Sequence, residues 1–445
     1  MNERKVGVVS LGCSKNRVDT ELMLGKLREA GYTFTAQPEE ADVILVNTCG
    51  FIESAKQESI DTILEMAQYK ETGKLKALIV SGCLSGRYRG ELAENLPEVD
   101  AFLGVTAQDE IVAAVEKALG GERTEQYHAA EVSGDYANRL LTTPGYYAYV
   151  KIAEGCNNRC SYCAIPYIRG NLKSRPMPEI VEEVQALAAR GVKEVILVAQ
   201  DTSKYGLDLY KKTMLSPLLE QLAAVEGIRC IRLLYCYPDG VSDELLDTIC
   251  RHDNIAKYID MPIQHMDDAV LRRMHRRDTR ESIYAAVHRI RARDAGFILR
   301  TTVITGFPGE TEEEFSVLKQ GISDLEFDRL GAFAYSREEG TPAYSMPDQV
   351  DDEVKEARQE EIMFLQQPIA ARRGRGRIGK CYDVLIEQFL PEESLYLGRS
   401  YGEAPEVDGM IAVESDAPLT VGDYAKVRIL RADDYELLGR AVQDE

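Results

Sequence analysis

No apolar run in the 445-residue chain approaches the length of a membrane span. The opening Met1-Asn-Glu-Arg-Lys leads into a short strand pattern, not the apolar stretch of a secretion signal. Together these two absences point to the cytoplasm, with no membrane partner. Histidine is scarce, five in all, and none lies between His128 and His252. Any metal site built in that interval has to rely on other ligands. Positive charge is also in short supply: 53 Lys and Arg against 74 Asp and Glu leave a net charge of −21. Such a surface repels bare nucleic acid over most of its area and suits a basic partner, although solubility alone is a sufficient reason for acidity. In a reducing compartment the ten cysteines read as metal ligands and buried thiols, not as a disulfide framework. The 44% hydrophobic and 29% charged content is that of an ordinary globular protein, and the length predicts two or three domains.

The densest chemistry lies in Glu154-Gly-Cys-Asn-Asn-Arg-Cys-Ser-Tyr-Cys, with thiols at Cys156, Cys160 and Cys163. Three cysteines separated by three and then two residues can wrap one short loop around a metal centre. Soft thiolates favour zinc or iron–sulfur clusters over hard cations. A closed zinc site needs a fourth ligand nearby, and none is present. A four-iron cluster normally takes four cysteines, so three leave one iron open to another molecule. A zinc loop and three unrelated core thiols are the competing readings.

Three apolar runs in the first third each end in a cysteine: Lys5 to Gly12 before Cys13, Asp42 to Thr48 before Cys49, and Ala77 to Gly82 before Cys83. Rich in Val, Ile and Leu, they have the pattern of parallel strands buried on both faces. Helical patterns at Asp19 to Ala30 and Ser54 to Tyr69 supply the crossovers, and the repeat of roughly 35 residues fits one βαβ unit. Ligands of open parallel sheets bind beyond the carboxyl ends of the strands, where all three thiols fall. Any one of them alone reads as a small buried hydrophobe. Three at equivalent places predict a shared metal site. A strand near Ala101 and a helix from Gln108 to Leu119 complete this domain, and the polar stretch 120–143 reads as a linker.

After it come six strand patterns: Tyr146 to Ala153, Lys193 to Ala199, Arg229 to Cys236, Lys257 to Met261, Ile298 to Thr305 and Asp328 to Tyr335. Helical stretches alternate with them (Pro178 to Arg190, Leu215 to Val225, Ser242 to Arg251, Thr279 to Ala295, Thr311 to Leu325), which predicts a parallel sheet with outer helices. Six units are too few for a closed eight-fold barrel, so an open partial barrel follows. The Cys156–Cys163 loop comes after the first strand, at the ligand-binding end. Gln200, Asp201, Gln264 and Gly306 follow other strands and are expected to face a ligand pocket, with turns and helix caps as the alternative role for each. Thr311-Glu-Glu-Glu314 reads as a capping box. His265 reads as a satisfied polar group, and Cys230, Cys236, Cys250 and Cys381, without ligand spacing, as core thiols. The basic loop Pro166 to Arg175 either meets an acidic substrate group through Arg169 or Arg175 or is solvated.

The helix Asp351 to Arg373 runs into a Gly-interrupted basic stretch, and five short alternating strands follow in about 70 residues, the pattern of a small antiparallel barrel. From Arg375 to Glu445 eight Lys and Arg face fifteen Asp and Glu, a net of −7. An acidic barrel is a poor clamp for phosphates and a better dock for a basic protein.

Cys-x3-Cys-x2-Cys with Tyr162 before the last cysteine resembles the signature of the radical S-adenosylmethionine enzymes. Ser10-Leu-Gly-Cys-Ser-Lys-Asn-Arg-Val-Asp-Thr-Glu resembles the N-terminal domain of the methylthiotransferases, and the C-terminal barrel resembles a TRAM domain. The resemblance spans nearly the whole chain and implies an α/β protein of three domains and a linker. These are a Rossmann-like parallel-sheet domain (1–120), a linker (121–143), an open (β/α)6 partial barrel of the radical S-adenosylmethionine type (144–374) and a TRAM barrel (375–445). It also implies two [4Fe-4S] clusters, one on Cys13, Cys49 and Cys83 and one on Cys156, Cys160 and Cys163, with S-adenosylmethionine along Tyr162, Gln200, Asp201, Gln264 and Gly306.

Within the family, Leu11-Gly-Cys-Ser-Lys-Asn, Leu233-Leu-Tyr-Cys-Tyr-Pro-Asp-Gly and Phe333-Ala-Tyr-Ser-Arg-Glu-Glu-Gly-Thr-Pro-Ala resemble the RimO branch. Ser14 departs from it by replacing the proline common there. That branch implies methylthiolation of the β-carbon of an aspartate in small-subunit ribosomal protein S-twelve. The first cluster carries the sulfur, methylated by one S-adenosylmethionine, and the second generates the radical from another, with an electron donor as a further partner. A branch that modifies a tRNA adenosine shares every ligand and differs in docking surface. A non-catalytic iron–sulfur or RNA-binding protein with a TRAM tail is the reading from another class, and it predicts no 5′-deoxyadenosine under reducing conditions.

Overall fold

In the computed structural model, which describes residues 4–127 and 134–442, the N-terminal apolar runs form one parallel six-stranded sheet. In spatial order its strands are Thr33–Phe34, Lys5–Ser10, Val43–Thr48, Ala77–Gly82, Ala101–Leu103 and Thr124–Gln126. All pairings are parallel. Every residue of Val43–Thr48 and of Ala77–Gly82 is buried, because helices cover both faces. Met23 and Leu27 of the helix Ser14–Glu29 pack with Ile111 and Val115 on one face, and Ile63, Met66 and Leu92 close the other. The sixth strand, Thr124–Gln126, lies inside the stretch expected to be a linker. It carries no apolar run and is only partly buried, so nothing in its sequence announces it. Residues 128–133 of that stretch, His128 included, lie outside the described residues.

The middle of the chain forms two three-stranded parallel sheets. One pairs Tyr147–Lys151, Glu194–Val198 and Cys230–Leu233; the other pairs Tyr258–Asp260, Ile298–Thr305 and Arg329–Ala334. A bridge between Ile231 and Ile255 joins them edge to edge, so six strands follow one another in chain order around an open partial barrel. Alternation sorts their side chains. Val150, Val195 and Leu197 pack outward with the surrounding helices. Tyr149, Ile196, Val198 and Tyr258 face inward, where they meet Val18 and Leu22 of the helix Ser14–Glu29 and Ala404 of the C-terminal domain. The open barrel is thus filled by its two neighbours, one from each end of the chain.

The helix Asp352–Arg375 leads to a closed barrel of Cys381–Leu390, Leu395–Arg399, Ile411–Glu414, Glu436–Ala441 and Tyr424–Asp433, in that spatial order. It is antiparallel except where Ile411–Glu414 runs parallel to Glu436–Ala441. Five strands cannot alternate in direction around a closed ring, so at least one pair must be parallel. Among the described residues no helix is long and apolar enough to cross a membrane.

Candidate functional site

Cys13, Cys49 and Cys83 follow three neighbouring strands of the first sheet, and the sheet brings them to one edge. A Cβ placed on Gly12 would lie 3.0 Å from Cys49 Cβ and 3.3 Å from Cys49 Sγ, so the loop carrying Cys13 lies directly against Cys49. Asn16 ties the three loops together: its side-chain amide donates to Leu11 O (2.8 Å) and Thr48 O (3.0 Å), and its Oδ1 faces Cys83 Sγ at 3.9 Å. Ser59 fixes the backbone of Cys49 by donating to its carbonyl and accepting from its N–H. The helix Ser14–Glu29 starts immediately after Cys13, five residues earlier than its apolar pattern suggests, which places Lys15 and Asn16 in its first turn.

The thiols differ in electrostatics. Cys13 sits in a recess reachable from solvent. The protein around it opposes ionisation, yet the charges of Lys15 and Arg169 and two backbone N–H groups outweigh this and hold it below the ordinary thiol value. Burial pushes Cys49 up, and Cys83 up to about 11, with Arg169 opposing. A metal centre would displace these protons.

The second loop follows the strand Tyr147–Lys151. Ser161 anchors it to the segment after the fourth barrel strand, its N–H donating to Met274 O (3.0 Å) and its hydroxyl to Arg273 O (2.7 Å). Asn158 N–H points at Cys156 Sγ (3.4 Å), and Tyr237 hydroxyl lies 3.6 Å from Cys160 Sγ. Burial pushes Cys156 up to about 11 and Cys163 well above its ordinary value. Tyr162 packs edge-on to Phe307, 6.5 Å between centroids.

A buried charge network joins the two loops. Glu154, two residues before Cys156, accepts from Arg169 Nη1 at 3.0 and 2.9 Å, from Lys151 (2.8 Å) and from Gln200 (3.0 Å). Arg169 Nη2 continues into the first domain, to Asn16 Oδ1 (2.9 Å), Asp19 (3.1 Å) and Cys83 Sγ (3.4 Å). Lys151 also pairs with Asp19. Burial works against the Glu154 carboxylate, but Arg169 and Lys151 overcome it and hold its pKa well below the usual range. Two cations and two carboxylates balance, and removing any one would leave an uncompensated buried charge at a cost of roughly 3–5 kcal/mol.

The residues expected at the pocket are distributed as follows. Gln200 and Gln264 both lie at strand ends, and the side-chain oxygen of each is buried without a partner. Gln264 is held at φ +67. Asp201 accepts from Asn158 Nδ2 (2.8 Å) and from Ser203 N–H (3.1 Å), so its carboxylate braces the second cysteine loop. Gly306 N–H donates to Glu310, and a Cβ there would lie 2.2 Å from Lys355 Cγ, so the close approach it permits is to that side chain.

Five readings need correction. Arg169 and Arg175 are buried at 1% exposure and neither is solvated nor free for a substrate, because Glu154 and Asp19 claim one and Glu183 the other. Cys381 is exposed on a barrel strand and Cys250 is half-buried; Cys230 and Cys236 are core thiols. His265 is only half satisfied: its Nδ1 accepts from Asp267 N–H (3.0 Å), but its Nε2, 3.4 Å from Glu310, is buried without a hydrogen bond. Thr311 forms its capping box with Glu314. The linking network was hidden from sequence reasoning, since Asp19, Lys151, Glu154 and Arg169 share no motif.

Among the described residues no three His, Cys, Asp or Glu side chains are gathered as ligands of a single ion would be. A four-iron cluster holds its cysteines further apart than one zinc does, and its donors are thiolates, the one ligand type both trios offer.

A parallel-sheet domain set against a partial barrel, each presenting three cysteines at its strand ends, defines a radical S-adenosylmethionine protein with an added cysteine-bearing domain. Family models agree in order: Uncharacterized protein family UPF0004 over residues 5–104, the Radical SAM superfamily over 150–320 and the TRAM domain over 378–442. The chain is 50% identical over 440 residues to the ribosomal protein uS12 methylthiotransferase RimO of Clostridium botulinum (strain Okra / Type B1), covering 99% of this chain and 98% of that one. With the protein of the same name from Lachnoclostridium phytofermentans it shares 48% over 438 residues, covering 98% and 100%. The chain belongs to the RimO family of ribosomal protein uS12 methylthiotransferases. Among solved structures, the radical S-adenosylmethionine methyltransferase TsrM from Kitasatospora setae shares the fold at TM-score 0.56 and 14% identity, over 77% of each chain.

Proposed function

We propose that the protein is a methylthiotransferase whose substrate is an aspartate of ribosomal protein uS12. The observation that carries this reading is the convergence of two cysteine trios through one buried network, in a chain of the RimO family throughout its length. Cys13, Cys49 and Cys83 would hold one [4Fe-4S] cluster, and Cys156, Cys160 and Cys163 the other. When bound, the clusters and two molecules of S-adenosylmethionine supply the sulfur, its methyl group and the carbon-centred radical that opens a C–H bond.

The remaining work falls to the chain's own residues. The orphaned oxygens of Gln200 and Gln264 accept hydrogen bonds from N–H groups, which S-adenosylmethionine brings in its amino group and its adenine. Asp201 and Ser161 keep the second cysteine loop in one shape, and Arg169 holds the two loops in register. The filled interior of the partial barrel keeps bulk water away from the reacting atoms. The acidic C-terminal barrel suits a basic ribosomal protein better than tRNA, because anionic side chains repel phosphates.

The test is mass spectrometry on cells lacking the gene. A methylthio increment should disappear from the uS12 peptide and return on complementation, while tRNA nucleosides stay unchanged. Loss from a tRNA adenosine with an unmodified uS12 pattern would replace this reading with the tRNA one.

A further inference from the structure

Four lysines are buried in the described structure: Lys15, Lys56, Lys151 and Lys355. Three have carboxylate partners. Lys56 reaches Glu53 (2.5 Å), Lys151 pairs with Asp19 and Glu154, and Lys355 reaches Asp352 (2.7 Å). Lys15 has none within ion-pair distance among the described residues. At 7% exposure, its ammonium rests 3.5 Å from the centroid of the Tyr235 ring.

Position makes this more unusual. Lys15 occupies the first turn of the helix Ser14–Glu29, where the positive end of the helix dipole disfavours a cation. Burial works against the ammonium, while the Tyr235 side chain and Cys13 favour it and keep Lys15 charged; neither of them is a carboxylate. Tyr235 is itself firmly held just beyond the third barrel strand: its N–H donates to Asp260 (2.9 Å) and its carbonyl accepts from Thr202 N–H (3.0 Å). Lys15 therefore bridges the loop of Cys13 and the end of the third barrel strand, facing Cys13 and the Tyr235 ring but no carboxylate among the described residues. A carboxylate brought up to it would complete the ion pair that the other three buried lysines already have.

Resting on the function proposed above, we infer that Lys15 is the carboxylate-binding residue beside the Cys13 loop, and that the anion it receives is the side chain of the aspartate to be modified. An aspartate taken out of water beside a radical site needs a counter-charge, and the other buried lysines have already committed theirs. Lys15 is thereby a specificity-determining residue that separates aspartate from asparagine. The rival anion is the first iron–sulfur centre itself, since Lys15 stands two residues from Cys13.

The experiment uses the full-length, cluster-loaded enzyme and two peptides spanning the modified loop of uS12, one with the target aspartate and one with asparagine. Affinities are read by fluorescence anisotropy, and iron content and the electron paramagnetic resonance of the first cluster are read in parallel. The wild type should prefer the aspartate peptide by roughly tenfold or more. Lys15→Met should reduce this to about twofold with both clusters intact, and Lys15→Arg should keep most of it. If Lys15→Met retains the preference, or loses the first cluster while retaining it, the assignment is wrong. A wild type that methylthiolates uS12 yet shows no preference also overturns it and leaves the functional reading standing. A wild type that neither binds nor modifies uS12 removes both.

Discussion

At the scale of single residues, the two cysteine trios have different surroundings. Cys13 is lowered by the charges of Lys15 and Arg169 working against its surroundings, whereas burial raises Cys156 and Cys163, and Arg276 opposes it at Cys156 without reversing it. The first trio therefore sits beside Lys15 and Arg169, and the second beside Tyr162 and Tyr237, with Asp201 and Arg276 acting in opposite directions on Cys156. Because the trios lie on separate folding units, they should load independently. Anaerobically reconstituted Cys156→Ala should keep about half the iron of the wild type, with the spectrum of one [4Fe-4S] centre. Loss of all iron would mean that the loops form only together, through Arg169.

At the scale of elements, the site depends on how strands hand over to helices. Gly82 ends the strand Ala77–Gly82 at φ +102, and a Cβ there would lie 2.3 Å from Asn47 Oδ1 and 2.5 Å from Thr48 O. Only glycine lets Cys83 turn in toward Cys49. Gly82→Ala should destabilise the first domain by about 1–3 kcal/mol or more, the cost of a forced backbone conformation. It should also empty the first cysteine trio while the second keeps its iron, read by urea denaturation and iron analysis; an unchanged midpoint with full iron would contradict this. Most of these elements were legible beforehand. The runs before Cys13, Cys49 and Cys83 could be recognised because a strand buried on both faces must be apolar at nearly every position. Ile298–Thr305 appears where its pattern places it. The start of the helix at Ser14 was hidden, since Ser, Lys, Asn and Arg carry no apolar period. The strand Thr124–Gln126 was hidden for the same reason.

At the scale of the whole molecule, the C-terminal domain is tied to the barrel by buried charge as well as by packing. Glu403, 1% exposed, pairs with Arg377 and with Arg329 (3.2 Å) and accepts from Ser400. Burial would raise its pKa, but the two arginines prevail and lower it to about 2. The folded value lies below that of the unfolded chain. Its stabilisation is therefore fully present above about pH 4 and is lost as pH falls through 2, on the order of 3 kcal/mol in all. Between pH 4 and pH 2 the melting temperature of the wild type should fall more steeply than that of Glu403→Gln, as scanning calorimetry would record. Parallel slopes would show that this carboxylate is not what ties the domains at neutral pH.

The sequence by itself determined which cysteines are the candidates for the chemistry and in what order the three units follow, because thiol spacing and apolar periodicity are local properties. Only the tertiary structure decided that Arg169 and Arg175 are internal struts, that Lys15 meets no carboxylate among the described residues, and that the helix after Cys13 packs into the open barrel. Arg169 with Asp19 and Lys15 with Tyr235 are more than a hundred positions apart, and even Glu183, eight residues from Arg175, shares no motif with it, so no local pattern encodes which partner a buried cation will find.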